Sequence, residues 1–186
     1  SATTGGNTTA YTVTSGSTTG LLKDYASGAN TSITVTFSSS GSPSIGTTGQ
    51  GAYPSSGTDG YATFYNKANM VGVIQYGSSG YYVDMTFTGL DSSKTYTFAR
   101  FTLSGDDGAT NASTSGVNII DDHSVYFSTG YNTVNGYVAR WSGIQPGSDG
   151  SFVVRVQEQT AGNQGYGPSV FMLAEELPTG PTITTS

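Results

Sequence analysis

The chain has 186 residues, of which 6 are basic and 12 acidic, giving a net charge of −6, with 27 glycines and no cysteine. That argues against a disulfide framework, a thiolate metal site or a thiol nucleophile, and the scattered Lys23, Lys67, Lys94, Arg100, Arg140 and Arg155 form no basic cluster for nucleic acid or an anionic membrane. Charged residues make up only 10% of the chain, against roughly 25% in ordinary soluble domains, so hydroxyls, amides and exposed backbone must carry its solubility.

From the N-terminus, residues 1–9 (SATTGGNTT) read as a linker, residues 10–176 as one domain, and residues 177–186 (LPTGPTITTS) as a Pro/Thr-rich linker. This pattern suggests a module that neighbours other domains of the same polypeptide. No apolar run approaches the ~20 residues that span a bilayer, and no signal peptide is visible. Within the domain, short aromatic and β-branched runs closed by Gly, Ser, Thr, Asn or Asp predict strands near 10–14, 31–38, 61–65, 70–76, 81–88, 94–103, 117–120, 124–128, 136–142, 151–158 and 168–175, with no helix. Alternation is clearest at Val83, Met85 and Phe87 against Asp84, Thr86 and Thr88, because successive strand side chains point to opposite faces. Along 94–103 the apolar parity shifts from Tyr96 and Phe98 to Phe101 and Leu103, which predicts a β-bulge near Ala99-Arg100. The fold class expected is an all-β sandwich. Its long connections, 38–60, 104–116, 128–136 and 159–167, are where function is expected.

Catalytic readings find little support. Asp121-Asp122-His123 holds the only imidazole of the chain, but a zinc site needs three or four ligands and adjacent strand residues diverge, so it reads as a polar turn before a strand at Val125. No pair of carboxylates stands out for glycoside hydrolysis. The loop Asp106-Asp107-Gly108-Ala109-Thr110-Asn111 is oxygen-rich, which makes Asp106 and Asp107 the candidates for calcium, although EF-hand spacing is missing. No catalytic residue is assigned, no cofactor is required, and the chain is expected not to be an enzyme.

The segment Val83–Phe98 (VDMTFTGLDSSKTYTF) resembles the middle of galactose-binding-domain-like jelly rolls of secreted microbial proteins. The stretch Gly136–Ile144 followed by Pro146-Gly147-Ser148-Asp149-Gly150 is similar to that group's paired late strands and their turn, and Tyr166–Leu173 to its final strand. The resemblance implies an antiparallel jelly-roll β-sandwich, galactose-binding-like, secreted or at the cell surface. Such modules are often non-catalytic, often attached to carbohydrate-active or adhesive proteins, and often hold a structural calcium. The acidic pattern of that calcium site is missing from Ala10–Ser15.

The loop aromatics carry the functional expectation. Sugar-binding surfaces use ring faces against the apolar side of a pyranose, with carboxamides for its hydroxyls. Tyr53, Tyr131 and Tyr166 lie in long Gly-rich connections, and Asn132, Asn135, Asn163 and Gln164 accompany the last two. Two readings follow for these tyrosines: they face a ligand, or they cover the ends of the sandwich. The first makes the chain a monomeric module that binds a neutral glycan or polysaccharide through Tyr53, Tyr131, Asn132, Asn135, Asn163, Gln164 and Tyr166. The second makes it a structural or adhesive spacer without a small ligand, or an auxiliary domain that stabilises a neighbouring enzyme.

Overall fold

The computed structural model describes residues 7–11, 18–40, 46–48, 53–70, 73–75, 82–102, 113–115, 118–123, 132–158 and 167–178. In chain order they form β1 (Thr18–Lys23), β2 (Asn30–Ser40), β3 (Gly46–Thr48), α1 (Asp59–Phe64), β4 (Val73–Gln75), β5 (Tyr82–Thr88), β6 (Tyr96–Phe101), β7 (Ser113–Ser115), β8 (Asn118–His123), β9 (Ala139–Ile144), β10 (Phe152–Glu158) and β11 (Val170–Glu175). A six-stranded sheet has the order β1-β2-β5-β10-β8-β7, a three-stranded sheet the order β11-β6-β9, and β3 pairs with β4. The pairings are antiparallel except that β8 runs parallel to β10. Parallel neighbours need a long crossover, and here the intervening chain passes through β9 in the other sheet.

The alternation read in the sequence is what joins the two larger sheets into a sandwich-like, all-β body. Val83, Met85 and Phe87 of β5 are buried, as are Val35 and Phe37 of β2 and Phe152, Val154 and Val156 of β10. They meet Phe98 of β6 and Trp141 of β9 in one apolar cluster. Phe87 sits near its centre, with ring centroids 4.8 Å from Phe152, 5.8 Å from Phe98 and 6.0 Å from Phe171. A buried aromatic of this kind contributes about 1.5–3 kcal/mol through burial alone.

Several expectations differ from the structure. Residues 61–65 do not extend as a strand, since α1 occupies 59–64. Thr58 caps it by accepting a hydrogen bond from the Tyr61 N–H at 3.3 Å, and Asp59 places negative charge in its first turn. Its buried Gly60 and Phe64, four residues apart, face the second apolar cluster of Met70, Phe101 and Val170.

That helix also explains the parity shift on β6. Phe98, Ala99, Arg100 and Phe101 are all buried, so the strand is covered on both faces and no extra residue is needed at Ala99-Arg100. Tyr96 and Phe98 join the sandwich core while Phe101 meets Phe64 of α1. The irregularity lies on the partner strand: Tyr96 pairs with Ile144 but Phe98 with Trp141, so two steps on β6 match three on β9. Gly143 accommodates the extra residue at φ +70°, a region open to glycine at little cost.

Asp121, Asp122 and His123, expected in a turn, instead end β8, paired with Val156, Gln157 and Glu158. Ala10 and Tyr11 are described outside any strand, while residues 12–14 and the strand expected at 124–128 lie outside the described residues. β1, β3 and β7 were not anticipated, because their Thr-, Ser- and Gly-rich sequences resemble turn chemistry.

Candidate functional site

Three tyrosines gather on one flank of α1. This helix crosses the outer face of the three-stranded sheet, anchored by Phe64 against Phe101 and Val170. Its two flanks differ in chemistry because residues four apart share one side of a helix. One flank carries Tyr61, which stacks on Tyr65 just beyond the helix, with centroids 4.1 Å apart and planes inclined by 15°. Tyr53 approaches Tyr65 edge-on at 5.8 Å and 83°. All three rings are partly exposed.

The other flank carries an ion pair. Both Asp59 oxygens accept from Arg140 of β9, Oδ1 from Nη2 at 2.8 Å and Oδ2 from Nη1, and Nη2 also donates to Thr63 Oγ1 at 2.8 Å. Hydrogen bonding from Arg140 holds the Asp59 carboxyl below its usual range, against the opposing effect of partial burial. The guanidinium is therefore already committed to a carboxylate.

A turn at 132–136 abuts the start of α1. The Ser55 N–H donates to Thr133 O at 2.7 Å and the Gly60 N–H to Gly136 O at 2.6 Å. Gly136 has φ +57°, and a Cβ there would run into the Thr58 side chain, so this contact depends on glycine twice over. Tyr53 and Asn135 are thereby carried on adjoining segments, Asn135 exposed and Tyr53 partly so. Asn132 is different. It is 2% exposed, and its carboxamide serves the turn: Nδ2 donates to Tyr137 O at 2.9 Å and Thr102 O at 3.3 Å, and Oδ1 accepts from the Tyr137 N–H at 2.9 Å. Its expected place at a ligand surface is taken by a structural role inside the fold.

A cleft of about 1040 Å³ lies along β11 and reaches the Thr63 side of α1, its walls including Leu22, Ile33, Phe64, Phe171 and Leu173. Residues 7–11 border it, held to β1 and the turn after it by Thr9 Oγ1 donating to Leu21 O at 2.7 Å and Asn7 Nδ2 donating to Tyr25 O at 2.9 Å. The Tyr11 ring packs against both Phe37 and Phe171, at 5.0 and 6.1 Å, and burial pushes its phenol up to about 12.

Of the residues expected to bind, Tyr131, Asn163, Gln164 and Tyr166 lie outside the described residues, as do the calcium candidates Asp106 and Asp107. Among the described residues no group of three or more His, Asp or Glu side chains could hold a metal ion, and no helix is long and apolar enough to cross a membrane. Tyr61 and Tyr65 are missing from the expected site because the sequence pattern predicts a strand over 61–65. The signal was present: Tyr61, Phe64 and Tyr65 follow the three-and-four spacing of a helix, behind the cap Thr58. No family model, curated protein or solved structure gives a significant match to this chain.

Proposed function

We propose that this chain is a non-catalytic, extracellular glycan-binding module, a galactose-binding-like jelly roll that recognises a neutral sugar beside α1. The observation that carries this reading is the partly exposed Tyr61–Tyr65 stack with Tyr53 against it, on a helix whose start meets the turn that carries the exposed Asn135. A ring face offers an apolar plate for the C–H side of a pyranose, and a carboxamide offers both a donor and an acceptor for its hydroxyls. Neutrality of the ligand follows from Arg140 being engaged by Asp59 and from a net charge of −6, which repels polyanions. In this reading no cofactor takes part, and any calcium is structural. The partners are a glycan and the neighbouring domains of the polypeptide, and the module acts as a monomer.

The rival reading is a structural spacer, and it is favoured by Asn132, whose carboxamide is spent on its own turn. A neutral-glycan array combined with pull-down on insoluble polysaccharides, with and without chelator, separates the two. Binding that is lost in Tyr61→Ala and kept in Tyr61→Phe supports glycan recognition at α1. A flat response across array and polysaccharides assigns the chain to the spacer class. Melting in calcium and in chelator tests the metal separately, since an ion bound only by the native state raises Tm.

A further inference from the structure

We infer that the α1 surface reads one sugar residue, at a chain end or free in solution, and not the face of a crystalline or extended polysaccharide. This rests on the glycan-binding reading above and specifies its ligand class.

The argument comes from how the rings are arranged. A flat or extended glycan is gripped by several ring faces lying side by side in one plane, each beneath a different sugar. Here the helix forbids that layout. Tyr61 and Tyr65, four positions apart, project from the same side of the helix, so their rings lie one over the other, 4.1 Å between centroids and 15° between planes. The facing sides of both rings are covered by that stack. Tyr53 stands at 83° to Tyr65 and cannot extend the plane of either ring. Of these three rings, the far side of Tyr61 is the broad face that neither of the other two covers.

The polar surroundings point the same way. On the opposite flank Arg140, Asp59 and Thr63 bond to one another, so they form no ready row of donors along a polymer. Near the start of the helix, the exposed Asn135 is brought in by the Gly60-to-Gly136 contact. One ring face left open in this cluster, with a carboxamide on the turn against the helix start, matches a single pyranose, with affinity on the order of millimolar for a ligand of that size.

The test is a titration, by calorimetry or NMR, with the methyl glycosides of glucose, galactose, mannose and N-acetylglucosamine. The β-linked oligomers of glucose and N-acetylglucosamine follow, from disaccharide to hexasaccharide, alongside depletion assays on microcrystalline cellulose and chitin. The expected result is binding of at least one methyl glycoside, affinity that changes by less than about threefold with chain length, and no retention on either solid. Tyr61→Ala abolishes that binding while its Tm stays close to the parent's, and Tyr61→Phe retains it. Affinity that climbs by about tenfold or more with chain length, retention on the solids, or a loss in Tyr53→Ala equal to that in Tyr61→Ala overturns the single-residue inference and leaves glycan binding standing. Failure of every saccharide to bind removes the glycan-binding reading and this inference with it.

Discussion

Arg155 of β10 stands directly across from Asp84 of β5 and holds it with two hydrogen bonds, Nε to Oδ1 and Nη2 to Oδ2, each 2.8 Å. The same guanidinium lies 3.6 Å from the centre of the Tyr82 ring. Both contacts lie on the outer face of the six-stranded sheet, opposite the buried Val83 and Met85. A planar fork meets a carboxylate and a ring together, which an ammonium cannot do.

Replacing Arg155 by Ala should therefore cost about 1–2 kcal/mol, more than an ordinary surface ion pair, because the geometry is two-pronged and a cation–π contact is lost with it. Arg155→Lys should recover only part of that, since it keeps the charge and loses the fork. Urea denaturation measures both. Equal stability of the Lys variant and the parent would show that charge alone matters.

Asn132→Ala should destabilise by about 2 kcal/mol, a fall in Tm of roughly 4–8 °C for a domain of this size. The cause is the loss of partners for Thr102 O and for the Tyr137 N–H and C=O. Calorimetry checks the stability. A variant that melts like the parent but fails to bind glycan would return Asn132 to the ligand surface.

Gly136→Ala should cost about 2 kcal/mol or more, combining left-handed backbone strain with a collision against Thr58. Because Thr58 caps α1 and Gly136 O accepts from the Gly60 N–H, the helix should shift along with the turn. Backbone NMR shifts around 58–65 that stay at parent values would contradict this coupling.

Acid should weaken the fold through identified carboxyls. Asp24, Asp59 and Asp91 are held below their ordinary value of 3.8 and Glu176 below 4.5, by hydrogen bonds from Ser27, Arg140, Ser93 and the Gly143 N–H respectively. A carboxyl with a lowered folded pKa adds stability that is complete above its unfolded value and is lost as pH falls through its folded value. The Tm gap between the parent and Asp59→Asn should thus be constant from about pH 7 to 5 and close below about pH 4. A gap that persists to the acid limit would mean that Asp59 acts through packing and not through charge.

Sequence alone settled the layered β body, because period-two polarity is a local property: Val83, Met85 and Phe87, or Phe152, Val154 and Val156, mark their buried face without knowledge of any partner. It also marked Tyr53 and Asn135 as residues of long connections. What it could not settle depended on what covers each element from outside. The helix at 59–64 exists because Phe64 finds Phe101 and Val170, and that cover buries both faces of β6 and mimics a bulge in the sequence pattern. Asn132 looked like a surface carboxamide until the Thr102 and Tyr137 backbone claimed it. Burial of a second face and capture of a side chain by a distant backbone are non-local events. Only the folded chain decides which tyrosine keeps a ring face open.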